Sequence, residues 1–254
     1  MATPEESARA IFGARASFYT TSTAHTDRNV LDRLVSMAAP RPEWRVLDVA
    51  TGTGHTAFAI APHVAEVVAT DITPEMLAEG ERLRDERGIA NIGFSIADVH
   101  DLPFASETFD LVTCRRAAHH FSRIGRAIEE MRRVIRPGGM LVIDDRSVPA
   151  DDFVDACMNR LDWYHDESHI RQYRPEEWRA MLSDAGLVVE VVEPYTQHRP
   201  LTSLTHGVAP DNVRMIEETL ARLSDEERGK LNLVELHGEL YLNHWYVMLA
   251  ARRT

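Results

Sequence analysis

The sequence predicts an α/β protein: a mostly parallel sheet with helices on both faces. Two observations predict it. Short apolar runs alternate with segments of helical period from residue 44 to residue 147. Strands separated by helices pair in parallel, because the crossover returns the chain to the same edge. The first run, Val46-Leu47-Asp48-Val49, ends in the glycine turn Thr51-Gly52-Thr53-Gly54, and an apolar helical segment follows from Ala57. Strand, glycine turn and helix in that order open many ligand-binding sheets.

Each element has its own signal. Apolar runs place strands near 44–49, 66–71, 91–96, 108–114 and 140–146, and helices fill 54–63, 73–87 and 121–135. Thr73 followed by Pro74 reads as a helix start, with a capping hydroxyl and a proline in the first turn. Ile124, Ala127, Ile128, Met131, Val134 and Ile135 trace one apolar stripe. Arg136-Pro137-Gly138-Gly139 ends that helix and turns the chain into the next strand. From Ser147 to about Pro175 the chain is polar, rich in His, Asp and Arg, with tryptophan and tyrosine interleaved, and the His165–His169 stretch has a loop-like composition. A helix near 175–185 stops at Gly186, a strand covers 187–192, a charged helix 211–228 and a last strand 245–250.

Composition narrows the function. A chain of 254 residues buries one substantial core, which makes one domain the expectation. The formal net charge of −12 disfavours nucleic acid, whose phosphates call for a basic footprint. No run approaches the roughly 18 apolar residues of a membrane span, and the acidic start Met1-Ala2-Thr3-Pro4-Glu5-Glu6 lacks a signal core. The expectation is a cytoplasmic protein with no membrane insertion. Cys114 and Cys157, two in all, read as buried structural thiols rather than a disulfide framework or metal cluster.

The glycine turn carries the chemistry. Gly52 and Gly54 let the main chain turn sharply and approach a ligand, and the following helix aims unpaired N–H groups at it. Gly52-Thr53-Gly54-His55-Thr56-Ala57 satisfies the loose fingerprint G-x-G-x-x-G/A. Asp48 sits where a pyrophosphate would be repelled and an ammonium attracted. Asp71, closing Val67-Val68-Ala69-Thr70-Asp71, can accept hydrogen bonds from a ribose diol. An amine and a ribose together suggest S-adenosylmethionine rather than NAD.

Four segments in order then resemble the class I S-adenosylmethionine-dependent methyltransferases, in the small-molecule branch similar to the ubiquinone/menaquinone C-methyltransferases (methyltransferase type 11). They are Val46–Gly54, Ala69–Leu77, Ala97–Phe104 and Arg133–Gly139, with Phe109–Phe121 between the last two. The resemblance implies a Rossmann-like, seven-stranded, mostly parallel sheet with an antiparallel last strand at 244–251. It adds an N-terminal helical cover over residues 1–40 and a lid insertion after strand five. The core would then be 44–147, the lid 148–185 and the C-terminal part 186–254.

By position, the resemblance implies that Asp48, Ala50, Gly52, Thr53 and Gly54 line the methionine end of S-adenosylmethionine. Asp71 would hold the ribose and Ile72 and Met76 flank the adenine. Asp98 would meet its amino group beside Val99, and Arg115 would touch the methionine moiety. Many relatives carry a small or neutral residue at this last place, where this chain has Arg115-Arg116. Phe18-Tyr19, Ser22 and His25 resemble a helix and loop folding over the cofactor, and Asn159–Arg171 resembles a lid.

Methyl transfer is an in-line displacement, for which the protein aligns the partners and handles a proton on the acceptor. His119 and His120 follow the fourth strand at its ligand-binding edge. With His169 from the lid they are the candidate catalytic residues, packing of His120 beside Phe121 being the alternative. His165 and His169 are four apart, but lack the His-Glu-x-x-His pattern and a third ligand, so no metal is expected. Asp144-Asp145 reads either as facing substrate or as solvated. Trp163, Tyr164, Tyr173 and Trp178 read as a pocket wall or as core.

The partner expected is a small-molecule acceptor, phenolic or quinone-like, methylated at carbon or oxygen; a homodimer is compatible with the sequence. Two other functions fit parts of it. One is an NAD-dependent oxidoreductase using the same turn, and the other a cofactor-binding protein of this fold that has lost methyl transfer.

Overall fold

A computed structural model describes residues 4–20 and 25–254, apart from the Phe18 side chain. Ser22 and the Phe18 side chain, both assigned to the cover, therefore lie outside the described residues.

Eight strands form one sheet. They are β1 (Arg45–Val49), β2 (Glu66–Asp71), β3 (Ile92–Ile96), β4 (Phe109–Arg115), β5 (Ile135–Ser147), β6 (Leu187–Pro200), β7 (Val234–Leu236) and β8 (Glu239–Arg253). The order is β3-β2-β1-β4-β5-β8-β6, with β7 paired to β8. Strands β1 to β5 pair in parallel, and β8 runs antiparallel between β5 and β6. The antiparallel last strand is thus as expected. The additional strand is β7, a short hairpin arm turned at His237-Gly238, where both residues have positive φ.

The helices are α1 (Pro4–Tyr19), α2 (Arg28–Ala38), α3 (His55–Ile60), α4 (Pro74–Glu86), α5 (Ile124–Val134), α6 (Asp152–His165), α7 (Pro175–Asp184), α8 (Thr202–Thr205), α9 (Pro210–Ala221) and α10 (Asp225–Lys230). Period-two alternation divides each central strand between two cores. In β1, Leu47 and Val49 join α5 and α7 on one face. Val46 joins α2 and α3 on the other. The expected α5 stripe packs on the first face. A third core joins α6 and α9 around Met158, Leu161, Ile216 and Leu220.

Several boundaries differ from expectation. The polar segment after β5 opens on a helix for which no apolar period gave a signal: Asp151 caps α6 by accepting from Val154 N–H at 3.0 Å, and the helix buries Val154, Met158 and Leu161. The charged 211–228 stretch is two helices, split where Ser224 and Glu227 form a capping box. Strand β6 runs eight residues past its predicted end at 192, because β8 pairs with it as far as Pro200↔Tyr241. Thr73 precedes α4 without a capping bond from its hydroxyl; Asp71 Oδ1 accepts its N–H instead, at 2.9 Å.

The chain winds from β1 outward through β2 and β3, then returns to place β4 on the other side of β1. At that reversal two crossovers diverge and leave a crevice at the carboxyl ends of β1 and β4.

Candidate active site

A cavity of about 970 Å³ fills the crevice. Its floor is the turn after β1, with Ala50, Gly52 and Thr53 on the wall. Gly52 takes φ 57° and nothing lies within 4 Å of where a Cβ would be, so the main chain is bare toward the cavity. Gly54 answers to something else. It is absent from the wall, takes φ 91°, and a Cβ there would meet the Phe58 and Phe94 rings at 3.1 Å.

Two carboxylates shape the turn. Asp48 lies beneath it, 1% exposed, with Oδ2 accepting from Thr51 Oγ1 at 2.5 Å and Oδ1 from Thr113 Oγ1 at 2.7 Å. Burial pushes its carboxyl up to about 6. Asp48 is not on the cavity wall, which corrects the expectation that it lines the methionine end; it orders the turn from below. Asp71 does reach the wall. Its Oδ2 accepts from Gly52 N–H at 2.9 Å, tying the tip of β2 to the turn, and burial raises its carboxyl.

Ile72, Met76 and Val99 form an apolar stretch of wall beside Asp98. Asp98 Oδ1 accepts from the His100 main chain at 2.8 Å and lies 2.7 Å from His100 Nδ1, which leaves Oδ2 without a hydrogen-bond partner among the described residues. Arg115 ends β4 and is buried, its Nε donating to Thr56 Oγ1 at 3.2 Å and its Nη2 to His25 O. Its Nη1 and the Thr53 hydroxyl are buried without a hydrogen-bond partner among the described residues. Both belong to wall residues. Helix α1 covers the mouth with Glu5, Ala8, Phe12 and Tyr19, and His55 Nε2 meets Tyr19 O at 3.0 Å.

A second cavity of about 560 Å³ adjoins the first. Phe12, Tyr19, His25, Arg116 and His120 line both. The three sequence-predicted histidines meet here, His119 and His120 at 4.1 Å between ring centres and His169 at 5.8 Å from His119.

The hydrogen-bond network assigns their tautomers. Asp145 accepts from the His119 main-chain N–H at 2.8 Å and from Nδ1 at 2.6 Å. Nε2 is then the unprotonated nitrogen of His119, and it has no partner among the described residues. The Ser168 hydroxyl donates to Asp166 Oδ1 at 2.6 Å, so its lone pair faces His120 Nδ1–H at 3.0 Å. Asn159 is oriented by Nδ2 donating to Asp155 and by Oδ1 accepting from Gln172 N–H. His169 Nε2 therefore donates to Asn159 Oδ1 at 3.0 Å, and its Nδ1 is buried without a partner among the described residues.

Burial pushes His119 well below the usual imidazole range and His169 down to about 4, while Asp145 rises to about 6. Near neutrality His119 is a free base beside an ionised carboxylate.

His165 also lines the second cavity, whereas Asp144 and Asp145 line neither. His165 Nδ1 lies 2.9 Å from Leu204 O, and among the described residues no group of three or more His, Cys, Asp or Glu is placed to hold a metal ion. Asp144 and Asp145 are both buried, neither solvated: Asp144 accepts from Tyr195 OH at 2.6 Å and Arg116 Nε at 3.1 Å. None of the four aromatics walls either cavity. Trp178 is core, edge-on to Tyr173, and Trp163 is exposed. His120 packs edge-on against Phe12 at 4.9 Å, the contact that seats the cover on the histidine cluster. Sequence reasoning missed Phe12, Arg146, Asp162, Asp166 and Arg199. Only the site's closure by α1, α6 and the extension of β6 brings them together.

Comparison with known proteins defines the class. Residues 47–143 match a methyltransferase domain. The uncharacterized methyltransferase YcgJ of Bacillus subtilis is 33% identical over 219 residues, 85% of this chain and 87% of its own length. Its crystal structure superposes with a TM-score of 0.83 at 30% identity, covering 88% of this chain and 97% of that one. The ubiquinone/menaquinone biosynthesis C-methyltransferase UbiE of Cereibacter sphaeroides is 36% identical over 115 residues, 44% of this chain and 46% of its own length. A geranyl diphosphate methyltransferase in complex with S-adenosylmethionine shares the fold, with a TM-score of 0.62 at 17% identity over 89% of this chain and 85% of that one. The chain belongs to the class I S-adenosylmethionine-dependent methyltransferases. Membership sets aside the oxidoreductase reading of the glycine turn.

Proposed function

We propose that the chain binds S-adenosylmethionine in the first cavity and methylates a small molecule held in the second, a phenolic or quinone-like ring taking the methyl at carbon or oxygen. One observation carries this: five residues of the first cavity's wall are also wall of the second. A donor and an acceptor would meet at that boundary, and alignment of the reacting atoms supplies much of such catalysis.

The residues fit the cofactor. Arg115 Nη1, buried and unpartnered among the described residues, is the donor that an amino-acid carboxylate would complete. Ala50, Gly52 and Thr53 form the main-chain floor of the methionine end, with Gly54 shaping the turn. Asp71 retains lone pairs for a ribose diol, and Asp98 Oδ2 is free for an adenine amino group between Ile72, Met76 and Val99. Tyr19 closes the cavity from above. When bound, S-adenosylmethionine supplies an electrophilic sulfonium methyl group.

The acceptor must shed a proton, and His119 Nε2, oriented by Asp145, is placed to take it. His120 and His169 would anchor the acceptor's oxygens. The quinone named for UbiE supports an aromatic acceptor, through an alignment spanning less than half of each chain.

Calorimetric titration of the wild type and Asp71→Ala with S-adenosylmethionine, S-adenosylhomocysteine and NAD tests the cofactor. Binding of the two adenosyl compounds, lost in the variant, is expected; binding of NAD alone would sink the proposal. A screen of phenols and hydroquinones with labelled methyl donor then reads the acceptor.

A further inference from the structure

We infer that the acceptor is an acid, and that Arg199 binds its carboxylate. The inference rests on the second cavity being the acceptor site. Three guanidiniums line that cavity, those of Arg116, Arg146 and Arg199. Two are committed. Arg116 donates to Asp144 at 3.1 Å and to Tyr195 OH at 3.0 Å, and Arg146 Nη1 bonds both oxygens of Asp162 at 2.6 and 2.7 Å. Arg199 differs. It has no ion pair among the described residues, and its one hydrogen bond is a long 3.5 Å contact from Nη1 to Tyr246 OH.

The remaining acid of the wall, Asp166, keeps its negative charge, with Oδ1 accepting the Ser168 main-chain N–H at 2.9 Å and the Ser168 hydroxyl at 2.6 Å, but among the described residues it forms no ion pair with Arg199. Burial holds His25, His119, His165 and His169 below their usual range, so near neutrality these rings add no positive charge to compete for an anion. Among the described residues, Arg199 is the one guanidinium of this wall with no carboxylate in contact.

A partly desolvated, unpaired cation on a wall is unfavourable in an empty cavity and attractive to an anion. Guanidinium and carboxylate match in a planar, two-pronged hydrogen bond. Asp166 already adds one negative charge to this wall, which favours a singly charged carboxylate over a phosphate dianion. Arg199 lies on β6 opposite Leu242, whereas His119 lies beyond the end of β4. Both residues line the second cavity, so one ligand can place its carboxylate at Arg199 and its ionisable proton at His119. The acceptor so described is a phenolic acid: an ionisable hydroxyl toward His119 and a carboxylate toward Arg199.

The test is binding to the protein saturated with S-adenosylhomocysteine, by ligand-observed and protein-observed NMR, with 4-hydroxybenzoate, phenol and phenyl phosphate as probes. Expected is 4-hydroxybenzoate binding at least tenfold tighter than phenol, with that preference lost in Arg199→Gln and partly kept in Arg199→Lys. S-adenosylhomocysteine affinity should be unchanged in both variants, since Arg199 is not on the first cavity's wall; that result also shows that the variants are folded. Equal binding of phenol and 4-hydroxybenzoate, no binding of either, or a preference that survives Arg199→Gln overturns the inference. So does tighter binding of phenyl phosphate. Failure to bind S-adenosylhomocysteine would instead strike the cofactor proposal, which separates the two.

Discussion

Asp145 grips His119 at two points, the main-chain N–H at 2.8 Å and Nδ1 at 2.6 Å. Two contacts fix both the position of the ring and the nitrogen that carries its proton. His119 lines the second cavity, which adjoins the first.

Asp145→Asn should therefore disable the base without disturbing the cofactor. An amide presenting its N–H to Nδ1 would move the proton to Nε2. The turnover number should fall by about 10²–10⁴, while affinity for S-adenosylhomocysteine stays within about twofold. Imidazole ¹⁵N NMR of the wild type should show His119 protonated at Nδ1. An Nε2–H wild-type tautomer would refute the assignment.

Arg115 separates two ligands that differ at the amino-acid end. Arg115→Met should weaken S-adenosylhomocysteine by roughly ten- to a hundredfold, the usual scale for a charge-assisted hydrogen bond. 5′-Methylthioadenosine, which has no carboxylate, should bind the variant nearly as well as the wild type. Equal loss for both ligands would mean that Arg115 only braces Thr56 and the His25 carbonyl.

Acid should destabilise the fold through its buried imidazoles. Unfolded, His169 takes a proton below about pH 6.5; folded, only below about 4. Its contribution is complete above about pH 6.5 and is lost as pH falls toward 4. Asp48 and Asp145 act with the opposite sign: raised to about 6 by burial, they favour the fold when protonated and lose that contribution as pH rises through about 6. His169→Gln should lose less stability than the wild type between pH 7 and 4.5, by roughly 2–3 kcal/mol, in urea melts at the two pH values. Parallel losses would show that His169 takes up its proton in the folded state.

Gly54→Ala tests the turn itself. A Cβ at φ 91° would strain the backbone and press on Phe58 and Phe94 at 3.1 Å. A cost of about 1–3 kcal/mol is expected, read as a lower melting temperature. Gly52→Ala, also at positive φ but with open space around it, should lose less stability and more cofactor affinity.

Much of this molecule was legible from local pattern. Strands β1 to β5, the α5 stripe and the Asp48–Gly54 turn follow from apolar spacing and glycine, because each is set by neighbours within a dozen residues. Helix α6 was not legible. Its polar face supplies Asp162 and His165 to the second cavity, and such side chains gave Asp152–His165 a polar composition that masks its apolar stripe. The eight-residue extension of β6 was hidden for a similar reason: polar residues there are strand only because β8 offers them a partner.

By itself, the sequence determined the α/β order, the glycine turn, the family resemblance and part of the first cavity's wall, Gly52, Thr53, Asp71 and Arg115 among it, since these lie at the ends of consecutive strands. Only the tertiary structure decided that Asp48 lies beneath the turn and that Asp145 holds His119. It also decided that Arg199, eighty residues on, shares a wall with the histidines. Those relationships join elements far apart in the chain, and no local period or spacing encodes which distant carboxylate a buried cation will meet.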